Sequence, residues 1–386
     1  MIRSYLCLAY RMKTIYLDYN STTPVDPRVL EAMLPWFGDR FGNAGSNTHY
    51  PGRQAAEAVS AARLQVATFL GCEASEIVFT SGATEAINLA MKGAMHAYGS
   101  SHKHFITAST EHKAVLDTAA ALEAQGFECT RLNVDPFGRI DLEELKQAIR
   151  IDTVFVAVMM ANNETGVLQE VEAIGKICAE KDVLFFSDTT QAVGKVMLNV
   201  KESCMAMACI SAHKIYGPMG VGALYVSRKS PRVALLPLIT GGGQERNLRS
   251  GTLNVPGIVG LGRACELAAS DYWNYSTDVS AHRTIFEQLL EQKCRARING
   301  DIRHRLPNTT NLRIPGLKAE KLITAVPQLA FSTGSACTSA LPEPSHVLLA
   351  MGMTPEAIAE SFRISLGKHT TREEVMSAVE AIAAVK

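Results

Sequence analysis

Between positions 76 and 227 short apolar runs alternate with helix-length amphipathic stretches, and this alternation limits the fold more than any other feature. The runs fall at 76–80, 103–107, 153–159, 183–186, 205–210 and 222–227. Between or before them, helical patterns occupy 55–70 (ending at Gly71), the stretch opening at Ser81-Gly-Ala-Thr84, the stretch from Glu111-His112 to about 125, a short segment capped by Asp141, and 171–181. Strand–helix alternation predicts an α/β chain with an open, mostly parallel sheet. In such sheets ligands bind beyond the carboxyl ends of the strands. Successive runs here deliver Ser81 and Thr84, His112, Asn163, Asp188 and Gln191, and Ser211, His213 and Lys214 to that edge. Each alone reads as a cap or turn residue. Their recurrence at matching positions points to one cleft.

The texture changes after about 262. Helical stretches at 256–269 and 277–294 lead to short strands at 296–298, 310–314, 329–331 and 362–366, then to a last helix from Thr370 or Thr371. Its apolar face is Val375, Ala378, Val379, Ile382 and Val385. A chain of 386 residues can bury two cores, so a large domain at 15–262 and a smaller α+β domain at 263–386 are expected. Residues 1–14 read as an extension or as part of the small domain, with Met12 as an alternative start.

Basic and acidic residues balance at 38 each, so there is no footprint for nucleic acid. No apolar run approaches the ~20 residues that span a membrane. Nine scattered cysteines without a CxxC pair signal neither a metal site nor a disulfide framework, which fits a reducing, cytoplasmic setting. Most read as small buried hydrophobes. His102 and His104 lack a third ligand and read as surface residues.

Lys214 follows an apolar strand, beside Ser211 and His213, and precedes a Gly/Pro turn. Alone it is a solvated lysine; buried, it is an amine nucleophile of lowered pKa, suited to a Schiff base. The helix after Gly82-Ala83-Thr84 offers free amides and a positive dipole end to a phosphate. Walker and GxGxxG patterns are missing there, which favours a small phosphorylated cofactor. A phosphorylated pyridine aldehyde would employ Lys214 for the aldehyde, Asp188 for the ring nitrogen and His112 against the ring face. The Gly241–Gly243 loop with Arg246, Arg249 and Thr252 is either flexible or a second anion contact. Cys337, in a Ser/Gly-rich loop, is idle or a reactive thiolate. Arg363 is a buried ion-pair partner or a carboxylate clamp.

Ser211-Ala-His-Lys-Ile-Tyr-Gly-Pro218, Arg249-Ser-Gly-Thr-Leu253, Ala161-Asn-Asn-Glu-Thr-Gly166 and Gly334-Ser-Ala-Cys-Thr-Ser339, with Glu343-Pro-Ser-His-Val-Leu348, resemble the NifS/IscS-type cysteine desulfurases of the class V aminotransferase family. The resemblance runs from Ile15 to about Lys386. It implies the aspartate aminotransferase-like fold type I and pyridoxal 5'-phosphate as cofactor. It implies conversion of L-cysteine to L-alanine through a persulfide on Cys337. Lys214 would carry the cofactor. Ala83, Thr84, Ser211 and His213 would hold its phosphate, joined by Thr252 from the second subunit of a homodimer. Asp188 would meet the pyridine nitrogen, Gln191 the ring hydroxyl and His112 the ring face, where it also moves protons. Asn163 and Arg363 would grip the substrate carboxylate, and no metal is called for.

Three departures from the family pattern stand out: Met160 where some relatives have histidine, Leu341-Pro342 in the cysteine loop, and a shorter C-terminal tail. The tail leaves the sulfur acceptor open among iron–sulfur assembly, tRNA thiolation and DNA phosphorothioation. A selenocysteine lyase or cysteine β-lyase on the same fold is the alternative chemistry, and a non-catalytic sulfur carrier a more distant one.

Overall fold

The structure is a computed structural model and describes residues 14–99, 102–229, 233–333 and 344–386. Cys337 lies outside the described residues, as do 1–13.

The strands are β1 Ile15–Tyr16, β2 Ile77–Thr80, β3 His104–Ala108, β4 Glu128–Leu132, β5 Thr153–Ala157, β6 Leu184–Asp188, β7 Met207–Ser211, β8 Gly222–Val226, β9 Arg297–Ile298, β10 Thr309–Arg313, β11 Leu329–Ala330 and β12 Ser361–Ser365. A seven-stranded sheet has the order β2-β8-β7-β6-β5-β3-β4. Only β8 runs against its neighbours; the pairs from β7 to β4 are parallel. Parallel strands need helices on both faces, and two apolar cores lie against this sheet, one including Ile106, Val156 and Ile210, the other Phe105, Phe155 and Cys209. Chain order reverses between β3 and β5, which opens a crevice at their carboxyl ends.

The helices that matter for the site are α1 Pro27–Met33, α2 Tyr50–Leu70, α3 Ala83–Tyr98 and α4 Lys113–Glu123. Asp26 caps α1, accepting from the Arg28 amide. Helix α2 starts earlier than expected, because His49 caps it and Pro51 occupies its first turn. Gly222 in β8 is required: a Cβ there would stand 2.5 Å from Ile210 O and 2.8 Å from Gly82 Cα. The turn that opens α3 therefore sits directly against the end of β7.

Two stretches depart from expectation. The helices expected at 256–269 and 277–294 are one 40-residue helix, Val255–Cys294. The intervening Ser-Asp-Tyr-Trp-Asn-Tyr-Ser is polar but holds no Gly or Pro to stop a helix. Its first half packs into the core that contains Ile258, Leu261 and Cys265; its second half, through Tyr275, Val279, Phe286 and Leu290, packs into a separate core. That second core also holds Leu312, Phe362, Ile364 and the last helix, Arg372–Ala383, whose capping box joins Thr371 and Glu374. Strand β12 pairs antiparallel with β10, and β10 with β9.

His104 is not a surface residue. It is 1% exposed, because its strand position points it between Thr153 Oγ1 (2.8 Å) and Thr130 Oγ1 (2.9 Å). Of the cysteines, Cys178, Cys209, Cys265 and Cys294 are buried as expected, whereas Cys204 is exposed.

Candidate active site

A cavity of about 430 Å³ opens at the carboxyl edge of the large sheet, within the range of small-molecule sites. Ala83, Thr84, His112, Asn163, Asp188, Gln191, Ser211, His213 and Lys214 all line it. Each comes from the carboxyl end of a strand or from the turn or helix start that follows one, as the alternating pattern requires. Two expected members stand apart: Thr252 is exposed and outside the lining, and Arg363 lies behind it.

Lys214 Nζ donates to Asn20 O at 2.5 Å and to Ser21 O at 2.8 Å. A neutral amine has two N–H donors and one lone pair, so these carbonyls occupy both donors and leave the lone pair. Burial, with Arg363 nearby, lowers the Lys214 pKa to about 8, while Asp188 and Asp18 act in the opposite sense.

Asp188 is 7% exposed. Its Oδ1 accepts from the Thr190 amide at 2.9 Å and from Cys209 Sγ at 3.4 Å. Its Oδ2 has no protein donor among the described residues, and no cation pairs with it. Burial drives the Cys209 thiol pKa well up, aided by Asp188, so that sulfur stays a donor.

His112 is the N-cap of α4. Its Nδ1 accepts from the Ala114 amide at 3.1 Å, which puts the neutral ring's proton on Nε2. The protein around it withdraws water and lowers its pKa. His213 Nδ1 meets Thr22 Oγ1 at 3.1 Å, and burial with Lys214 and Lys195 nearby brings its pKa to about 4.

At the opening of α3 the amides of Ala83, Thr84 and Glu85 have no intrahelical acceptor. Arg249, one of the expected anion contacts, is instead committed to Glu85: its Nε donates to Oε1 at 2.8 Å. Burial pushes the Glu85 pKa up, but the hydrogen bonds from Arg249 and Ser81 outweigh it and leave it lowered. Arg246 is likewise spent inside the protein, on Ile77 O.

Arg363, of the two roles its sequence setting allows, has the ion pair: Nη2 donates to Asp18 Oδ1 at 2.6 Å and Ser21 Oγ at 2.9 Å, and Nη1 to Asn163 O at 2.9 Å. Its Nε is buried without a partner among the described residues.

Several residues of this network went unread in the sequence. Asn20 is the hub. Its backbone oxygen also accepts from Gln191 Nε2 at 2.9 Å, and its side chain bonds Asn163 O, Thr309 Oγ1 and Asn308 Nδ2. Its only sequence signal is the polar run Asp18-Tyr-Asn-Ser-Thr-Thr23 after an apolar strand. Lys195 and Glu111 are buried titratable groups of the same kind. Glu164 accepts from Ser345 Oγ at 2.5 Å, and His346 Nε2 lies 2.9 Å from Glu111 O.

The pyridoxal-phosphate site drawn from the sequence therefore has matching parts here: the start of α3 with its unpaired amides, an amine and a carboxylate oxygen without a donor among the described residues all belong to residues lining one cavity. The class-V aminotransferase family profile matches residues 15–377, and the chain belongs to that family, which is pyridoxal-phosphate dependent. Within the family it is similar to a cysteine desulfurase IscS of Anaeromyxobacter dehalogenans, 51% identical over 366 residues, covering 95% of this chain and 90% of the relative. A solved NifS-like protein superposes with a TM-score of 0.90 at 37% identity, covering 96% of this chain and 99% of the other. A structure described as SspA in complex with cysteine matches with a TM-score of 0.82 at 38% identity, over 92% and 99% of the two chains. No helix among the described residues is long and apolar enough to cross a membrane.

Proposed function

We propose that this chain is a cysteine desulfurase that converts L-cysteine to L-alanine, leaves the sulfur as a persulfide on Cys337 and passes it to an acceptor. The observation that carries the reading is the Lys214 amine and the Asp188 carboxylate lining one cavity with the free amides of α3, in a chain with close relatives of that name. Lys214 would hold the pyridoxal phosphate. The α3 amides, with Thr84, Ser211 and His213, would take its phosphate; Asp188, Gln191 and His112 would take its ring. Bound there, the cofactor supplies an electron sink for the substrate's α-carbon.

The chain's own groups do the rest. Asp188, supported by Thr190 and Cys209, is the acceptor that keeps a ring nitrogen protonated. Lys214 Nζ, which its lowered pKa makes accessible as the free base, takes and returns the proton at the substrate α-carbon. His213 stays neutral and accepts or donates one hydrogen bond without changing charge. Cys337 thiolate attacks the substrate sulfur: the S–S bond forms, the Cβ–S bond breaks, and its electron pair stays with the carbon fragment. His112 would relay to the carbon fragment the proton that the substrate thiol gives up, which completes alanine and leaves the His112 ring neutral. Asn163 and Arg363 would orient the substrate carboxylate, with Arg363 held in place by Asp18.

The exposure of Thr252, outside the cavity it would serve, favours a homodimer in which it reaches the partner's phosphate. A division into 15–262 and 263–386 and a cytoplasmic setting complete the reading. The acceptor belongs to iron–sulfur assembly, tRNA thiolation or DNA phosphorothioation. The test is to incubate the cofactor-loaded protein with L-cysteine and a thiol reductant and count products. Equal yields of alanine and sulfide are expected. Pyruvate in place of alanine would show β-elimination and remove Cys337 from the chemistry.

A further inference from the structure

Behind Lys214 sits a second lysine that the reaction above does not use. Lys195 is 4% exposed. Among the described residues it has no carboxylate partner; its Nζ donates to Gln191 Oε1 at 2.8 Å and lies 3.4 Å from Asn20 Oδ1. An unpaired buried ammonium is costly. Burial, with Lys214 and Arg363 nearby, drives the Lys195 pKa well down, so it serves as a neutral donor.

Its two partners are both acceptors, and this has a consequence for Gln191. A glutamine amide can present either end, and only its neighbours decide which. Lys195 claims Oε1, so Nε2 must turn to Asn20 O, where it donates at 2.9 Å. The second Nε2 hydrogen remains available to the cavity that Gln191 lines. The same Asn20 oxygen receives the Lys214 amine, so one chain of hydrogen bonds sets both the amide and the nucleophile.

We propose that Lys195 is a positioning residue. It locks Gln191 with its N–H end toward the cavity, where a bound cofactor's ring oxygen, negatively charged, requires a donor. This rests on the pyridoxal-phosphate reading of the site. Without Lys195 the amide is free to turn its carbonyl toward that oxygen, and a charge-stabilising hydrogen bond is lost.

The test is a double-mutant cycle read from the pH midpoint of the bound cofactor's visible absorption band in holoenzyme, which reports the ring oxygen's hydrogen bonding independently of turnover. Lys195→Met keeps the apolar stem. It is expected to raise the midpoint by about one pH unit, the size of one such hydrogen bond. In a Gln191→Ala background the same substitution is expected to shift it by less than about a third of that. A shift of equal size in both backgrounds, or none in either, overturns the proposal. Should Lys195→Met fail to fold, Lys195→Leu, which likewise has no donor, is measured in both backgrounds; equal midpoint shifts again overturn it, and a shift present only with Gln191 upholds it. A wild-type protein that develops no visible band with the cofactor would instead overturn the underlying reading of the site.

Discussion

The pH at which Lys214 captures an aldehyde follows from its surroundings. An ordinary lysine, with a pKa near 10.4, is neutral in only about 0.04% of molecules at pH 7. With its pKa lowered to about 8, Lys214 is neutral in about 9% of molecules at that pH, a gain of roughly 200-fold in competent amine. Apo-protein mixed with pyridoxal phosphate should develop its visible band with a rate that climbs about tenfold per pH unit below 8. The rate should flatten above it. Stopped-flow absorbance from pH 6 to 10 measures this, with each rate divided by the rate constant of the unprotonated form of a simple alkylamine under the same conditions, which cancels the aldehyde's own titration but not the lysine's. The sign is fixed by burial, which disfavours the ammonium. A corrected rate still climbing steeply between pH 9 and 10 would mean that the two carbonyls hold Lys214 as an ordinary ammonium, and the account of the site's nucleophile would fail.

Other outcomes follow from named contacts. Asp188→Asn should keep the fold but lower kcat by at least about 100-fold, read from alanine formation, because a charged acceptor at the ring nitrogen is lost. Cys209→Val removes a donor to Asp188 and should lower kcat by about fivefold, with cofactor affinity little changed. Glu245, buried against Arg63 through bonds of 2.6 and 2.7 Å and against the Phe79 amide, anchors the loop that carries Arg249. Glu245→Ala should cost about 3 kcal/mol in urea denaturation, since it strands a guanidinium. His213 is held neutral in the fold, with its pKa lowered to about 4, so protonation favours the unfolded chain. Its contribution to stability should be fully present above pH 6.5 and decline as pH falls toward 4. His213→Gln should flatten the slope of stability against pH in that window, and an unchanged slope would refute it.

The edge residues were legible because the strand period and the turn after each strand act locally: Lys214, Asp188 and His112 each sit where the alternating pattern ends a strand or starts the next element at the sheet's edge. What was not legible depends on distance in the chain. Asn20 meets Lys214, Gln191 and Asn308 only after β1 pairs with β11, about 310 residues further along the chain. Strand β4 was overlooked because Glu128-Cys-Thr-Arg-Leu132 is mostly polar, as suits an edge strand paired on one side. His104 reads as a surface residue until two threonines from neighbouring strands enclose it. Lys195 looks like any lysine in a turn; only the fold shows that no carboxylate among the described residues accompanies it. Arg363 carried both of its possible roles in the sequence, and its ion pair with Asp18 needed the pairing of β12 to appear.

The unbroken helix from Val255 to Cys294 bears on how the protein can be dissected. A cut at 262 would leave about two turns of that helix on one fragment and sever it beside Gly262, which packs where a Cβ would meet Ala62. Each half would then expose a face that the intact rod covers. The two cores are distinct in composition but share a spine, so they are expected to resist separate expression. Relative movement between them has to be taken up by bending or twisting of a continuous helix, because no loop at this junction can act as a swivel.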